Sequence, residues 1–264
     1  MSKISNKINF GNFFEDFSIG QKIVHPLPRT ISDGDVSLYI AFTGSRFALH
    51  SSDTVAKQMG YDKKPIDDML MFHLTFGKSV QDVSLNAIAN LGYAEMSFPN
   101  SVFVGDTVSM TSTVIGLKEN SNGKSGVVYV HSIGVNQNGA EVLNFKRWVM
   151  VHKKDQTTLS GINEVPTFAK TTPIADVINI PTIKTVDTNA TGGKYFFEDY
   201  VAGERLNHPE GITIDNSDHT LATKLYQNNA KVHFNDHMMK STPMGQRLMY
   251  GGIIISTARA ISFN

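Results

Sequence analysis

Two stretches, NFFEDFSIGQKIVHP from Asn12 and YFFEDYVAGERLNHP from Tyr195, are one sequence written twice. The offset is 183 residues and holds without a gap to Asp53 and Asp236. Glu15-Asp16 meets Glu198-Asp199, Gly20 meets Gly203, His25-Pro26 meets His208-Pro209, and His50 meets His233. Chance does not produce so many matches in one frame, so the chain is read as a tandem duplication. With a gap of five residues, Ser84-Leu85-Asn86 then matches Ser262-Phe263-Asn264, and His73-Leu74 falls opposite Gly251-Gly252. The first copy continues to about Lys154 through its most strand-like region, and the second has no such continuation. The expectation is a second unit truncated at the C-terminus.

Within one copy the order of elements is readable. A short strand ends near Thr30-Ile31, and Ser32 or Asp33 caps a helix from about Gly34 to Phe42. A loop carries His50, a short helix covers about Asp53–Met59, and a long apolar helix covers about Met69–Asn90. Alternating, β-branched stretches follow over 101–119, 123–137 and 140–154, with turn residues at Asn122-Gly123 and Asn138-Gly139. Residues rich in Thr, Pro, Ile and Asn follow. The expected units are 1–155, a linker over 156–194, and 195–264. One helix with a meander of long strands implies an α+β fold, an antiparallel sheet wrapped around a central helix.

Composition removes several kinds of function. The formal net charge is zero, which gives no electrostatic attraction to nucleic acid or to an anionic membrane. Absence of cysteine excludes disulfides, thiolate nucleophiles and cysteine–zinc sites. The first residues, MSKISNKINFGNFFEDF, have no continuous apolar core and are not read as a secretory signal. The longest apolar run, YGGIIISTARAISF, is too short to span a bilayer and contains Arg259. The chain reads as cytoplasmic. His233 and His237 are four apart but declare no third metal ligand, and no Walker or dinucleotide glycine loop is present.

The stretch TGSRFALHSSD (43–53) resembles the hydratase-2 signature of the MaoC-like dehydratases. Gly44 and His50 fit it, while Ser45 stands where that family has an acid. The resemblance implies a hot-dog fold, and two copies imply a tandem (double) hot-dog chain. FFEDFSIGQKIVHPLPRTISDGDVSLY, GSRFALHSSDTVAKQMG, FKRWVMVHKKD, AKVHFNDH and YGGIIISTARAISFN are more narrowly similar to the mesaconyl-CoA hydratase (β-methylmalyl-CoA dehydratase) family. That resemblance implies reversible addition of water across the double bond of an enoyl-CoA thioester. The CoA thioester is then substrate, no cofactor or metal is needed, and a homodimer is expected by family analogy.

Such chemistry needs a base for water, an acid for the α-carbon and a holder for negative charge on the thioester oxygen. His233 is the candidate acid–base group. Asn228 stands at the place of the family's usual aspartate; an amide cannot be a base, but it orients water as donor and acceptor. Mesaconyl-C1-CoA carries a carboxylate on the carbon that water attacks, so a neutral Asn228 avoids like-charge repulsion. Gly251 matches the family glycine that binds the thioester oxygen, with Gly252 beside it at a helix start. Arg46, Arg247 and Lys231 are candidates for the substrate carboxylate or the CoA phosphates. Asp218 and Asp236 are possible substitutes for the missing acid, Asp218 more plainly as a helix-start residue. The first copy keeps His50 but not the rest and is read as a structural half. The alternatives are a hot-dog thioesterase, which needs an acid such as Asp67, Asp68 or Asp236 near the helix glycine, and a non-catalytic acyl-CoA-binding scaffold.

Overall fold

The computed structural model describes residues 8–177, 179–183 and 185–262, the side chains of 174 and 175 excepted. Strand β1 (Lys22–Thr30) leads into helix α1 (Asp33–Thr43). Ser32 is its cap: its hydroxyl accepts from the Asp35 N–H while Asp35 reaches back to the Ser32 N–H (2.9 Å). Short helices α2 (Ala48–Ser51) and α3 (Asp53–Gln58) follow, then the apolar helix α4 (Asp68–Phe76). Strands β2 (Ala87–Ser97), β3 (Thr107–Glu119), β4 (Ser125–Val135) and β5 (Glu141–His152) complete the first copy.

The antiparallel sheet runs in the order β1-β3-β4-β5-β2. Its inward residues and α4 form the core, with Leu70, Phe72 and Leu74 of the helix against Val108, Met110, Leu143 and Phe145 of the sheet. Each such side chain contributes about 1.5–3 kcal/mol by leaving water. The apolar helix expected to reach Asn90 ends earlier. It tightens into a 3₁₀ turn at Gly77–Ser79 and widens into a π turn at Val80–Ser84. From Ala87 the backbone pairs with β5, so ladder bonds replace helical ones.

Described residues of 156–194 contact this unit. A two-residue strand β6 (Asn163–Glu164) pairs with β3, and the Phe168 ring stacks on Trp148 at 5.0 Å. Two single turns, α5 (Ile174–Val177) and α6 (Thr188–Thr191), follow.

The second copy repeats the helices of the first. Its helices are α7 (Asn216–Leu225), α8 (Lys231–Phe234), α9 (Asp236–Met239) and α10 (Gly251–Ile261). Each begins 183 residues after its counterpart among α1–α4 (33 to 216, 48 to 231, 53 to 236, 68 to 251). The frame therefore carries through α10 without the expected gap, and Asp68-Met69, not His73-Leu74, stand opposite Gly251-Gly252. Of the Ser262-Phe263-Asn264 match, the last two residues lie outside the described residues, as does the start MSKISNK. Among the described residues from 195 onward there is no strand. Ala222, Leu225, Tyr226, Tyr250 and Ile253 instead join the first copy's core. The join is close: a Cβ on Gly77 would lie 1.7 Å from the Tyr226 carbonyl oxygen, so only glycine fits there.

Candidate active site

The helix starts of the two copies differ in one decisive way. In the first copy Asp67 is the N-cap of α4, and its carboxylate accepts from the Met69 N–H (2.8 Å). Arg259 clamps the same carboxylate through both oxygens (2.8 and 2.7 Å). That helix start is already filled by an internal anion. In α10 the N-cap is Tyr250, which makes no side-chain cap bond. The N–H groups of Gly251 and Gly252 have no acceptor within the helix, and the positive end of its dipole is open. A Cβ on Gly252 would lie 2.4 Å from both the His73 and Tyr250 rings, whereas one on Gly251 would meet nothing within 4 Å.

His233 lies half-buried on α8. Its Nδ1 donates to the Leu248 carbonyl (2.9 Å). A carbonyl only accepts, so this bond puts the ring proton on Nδ1 and leaves Nε2 with a free lone pair. Burial also lowers the pKa of His233 below the ordinary histidine value, which holds the ring neutral. In the first copy His50 makes the equivalent bond to the Pro65 carbonyl (3.1 Å), the acceptor again being fifteen residues on. The sequence repeat thus preserves a tautomer, not merely a residue type.

Asn228 is 1% exposed, just past the end of α7. Its Oδ1 accepts from the Ala230 N–H (3.2 Å), and it lines the same cavity as Tyr250. Tyr250 in turn packs on His233 (ring centroids 5.4 Å apart), and its backbone N–H donates to Nε2 of the buried His219 (3.1 Å). His219 was not foreseen. The His219 pKa is pushed down to about 4 by burial and by the nearby Arg247 and His233, so it too stays a neutral acceptor.

Asn228, His233, Gly251 and Gly252 line a single cavity of about 250 Å³. Its other walls are largely apolar, from Phe72, Phe76, Tyr93 and Ile255 among others. None of its lining residues is a carboxylate. Asp236 pairs instead with Lys240 (3.0 Å), Asp67 with Arg259, and Asp218 sits in the first turn of α7. A thioesterase built on an acid beside the helix glycine finds no such acid here.

The three cationic candidates are not in this cavity. Arg46 is exposed in the first copy's loop. Arg247 braces the His233 segment from behind, donating to the Thr220 hydroxyl (3.1 Å) and the His233 carbonyl (3.4 Å). Lys231 lines an adjoining groove of about 440 Å³ with Asn86, His152 and Met244, and Ala87, Ile88 and Val232 belong to both spaces. The cation that does line the cavity is Arg147 of β5, which sequence reasoning missed. The signal was present: Phe145, Arg147, Val149 and Val151 share one phase of the strand, so an arginine stands on the inward face.

Among the described residues no helix is long and apolar enough to cross a membrane, and no three His, Asp or Glu side chains are grouped to hold a metal.

Comparison with known proteins gives a family-level match. The family model described as mesaconyl-CoA hydratase matches residues 3–262. The β-methylmalyl-CoA dehydratase of Chloroflexus aurantiacus is 51% identical over 263 residues, 99% of this chain and 75% of the relative. The crystal structure of a MaoC domain protein from the same organism superposes with a TM-score of 0.94 at 50% identity, covering 98% of this chain and 74% of the other. A Mycobacterium tuberculosis protein with a double hot-dog fold superposes at 0.72 with 22% identity, over 96% of this chain and 76% of its own. The fold is α+β, of the double hot-dog type that the resemblance implied.

Proposed function

Since the chain belongs to the mesaconyl-CoA hydratase family, we propose that the cavity at the start of α10 hydrates mesaconyl-C1-CoA reversibly to β-methylmalyl-CoA. The observation that carries this reading is the convergence of Asn228, a tautomer-fixed His233 and an uncapped helix start on one cavity.

Nε2 of His233 takes a proton from water as the water oxygen bonds to C3, the carbon that bears the substrate's carboxylate. The electron pair of the C2–C3 double bond moves toward the thioester carbonyl, and negative charge gathers on its oxygen. The N–H groups of Gly251 and Gly252 hold that oxygen, helped by the dipole of α10. Charge returns to C2 as His233 delivers a proton there, so one imidazole serves as base and then acid. Asn228 orients the water without adding a second negative charge beside the carboxylate. The CoA arm runs through the adjoining groove, where Lys231 meets its phosphates. No cofactor besides the thioester takes part. The enzyme works in the cytoplasm as a homodimer, with no nucleic-acid or membrane partner; sedimentation should find a species near twice 29.1 kDa, and a monomer throughout would remove the dimer.

The test follows loss of enoyl-thioester absorbance on hydration of mesaconyl-C1-CoA. His233→Ala should lower kcat by about 10²–10⁴-fold. The wild-type kcat/KM should fall on the acid side with an apparent pKa below 6.5, because burial lowers that of His233 and only its neutral form accepts a proton. Release of free CoA thiol, or activity that survives His233→Ala, would refute the assignment.

A further inference from the structure

Resting on the hydratase reading above, we infer that Arg147 is the residue that recognises the substrate's free carboxylate and so selects dicarboxylic over monocarboxylic enoyl-CoA.

Arg147 is fully buried, 0% exposed, on the inward face of β5. An arginine in such a place normally has a carboxylate partner, because an unpaired buried charge is costly. Among the described residues Arg147 has none within ion-pairing distance. Its Nη2 donates to the Ser79 hydroxyl (2.9 Å), and its guanidinium lies over the Phe76 ring with Cζ 4.5 Å from the centroid. Its Nε and Nη1 donors have no hydrogen-bond partner at all. The contrast is internal to the molecule: Arg259 also lies over a phenylalanine, Phe47, at 4.2 Å, but it is satisfied by both oxygens of Asp67. The second site has the arginine and lacks the acid.

The missing partner is supplied by geometry and chemistry together. Arg147 lines the same cavity as Asn228, His233 and Gly251. In the sheet it stands beside Tyr93 of β2 and Val130 of β4, and Phe76 beneath it is stacked on Tyr250 (6.1 Å), the ring that packs on His233. The guanidinium keeps unpaired N–H donors, those of Nη1 among them, and a carboxylate is the charged acceptor that suits such a donor set. Mesaconyl-C1-CoA carries one carboxylate, on the carbon that water attacks. With the thioester oxygen at the start of α10, the far end of this short acyl group extends across the cavity toward Arg147. The guanidinium then neutralises a charge that would otherwise repel the incoming water oxygen. The replacement of the expected aspartate by Asn228 fits the same scheme: this cavity exchanges a protein carboxylate for a substrate one.

The experiment compares mesaconyl-C1-CoA with 2-methylcrotonyl-CoA, in which a methyl group replaces the carboxylate. The ratio of kcat/KM for the two should fall about 100-fold or more in Arg147→Met, the order expected when one partner of a buried charged pair is removed. Arg147→Lys keeps the charge without the fork and should fall between wild type and Arg147→Met; it decides the matter if Arg147→Met does not fold. An equal loss on both substrates, or an unchanged ratio, overturns the assignment. Binding of two unreactive thioesters, methylsuccinyl-CoA and 2-methylbutyryl-CoA, separates this inference from the reaction itself. If the wild type hydrates neither enoyl-CoA but prefers methylsuccinyl-CoA, and Arg147→Met erases that preference, the carboxylate site stands and the hydratase reading falls. If the wild type hydrates mesaconyl-C1-CoA and Arg147→Met keeps the preference, the reverse holds.

Discussion

At the scale of single residues, the site depends on keeping ordinary groups neutral in particular places. His233 is neutral because it is half-buried and its one ring proton is committed to Leu248. Asn228 is neutral by composition, and its burial at 1% gives that neutrality weight. Asn228→Asp keeps the acceptor oxygen for the Ala230 N–H but sets a carboxylate into the cavity wall. The variant should raise KM for mesaconyl-C1-CoA about tenfold or more, as like charges approach at low dielectric. KM for 2-methylcrotonyl-CoA should rise far less. Steady-state kinetics on the two substrates check this, and an unchanged KM for the dicarboxylic one would sink it.

At the scale of elements, two adjacent glycines at the start of α10 do different work. Gly252 is required by packing, since a Cβ would strike His73 and Tyr250, whereas Gly251 has open space around it. Gly252→Ala should cost about 2 kcal/mol or more of unfolding free energy, as overpacking does. Gly251→Ala should leave stability within about 1 kcal/mol, alanine being the better helix former. Denaturant unfolding of both variants checks the contrast; similar losses would contradict it.

Much of this level was legible in the sequence. The 183-residue offset set the correspondence of the first three helix pairs, Ser32 marked the start of α1, and the alternating runs marked β3–β5. What escaped has physical causes. Strand β2 escaped because the apolar run from Met69 carries no breaker where helix becomes strand; pairing with β5 decides the boundary, and that is tertiary. The first-copy partners of Gly251-Gly252 were misplaced because a three-residue match pulled the frame by five, and helix starts expose such an error only once seen together. Arg46 and Arg247 were chosen because a guanidinium suits a carboxylate or a phosphate, yet the cation that lines the cavity comes from β5 of the first copy. Arg147 needed only its strand phase to be noticed.

At the scale of the whole molecule, the two copies meet around buried neutral histidine. His73 is 0% exposed, bonded to the Tyr250 and Ser256 hydroxyls (3.2 and 2.8 Å), and burial pushes its pKa down to about 3. The unfolded chain binds a proton here below about pH 6.5 and the folded one does not. This contribution to stability is therefore complete above that pH and is lost progressively as pH falls toward 3. The slope is at most about 1.4 kcal/mol per pH unit. His73→Gln should remove it, so that the stability lost between pH 6.5 and 4 shrinks by about 1–3 kcal/mol. Urea unfolding across that range checks it, and an equally steep acid loss in the variant would show that other groups carry it.

The bond from His73 to Ser256 joins residues 183 apart, so it links one position of the repeat to its own counterpart. In a symmetric pair of identical chains that point would hold two histidines or two serines. A fused duplicate can place a ring on one side and a hydroxyl on the other. Symmetry broken at the axis also frees each half to specialise, the first with Asp67 and Arg259 locking its helix start, the second left open for substrate.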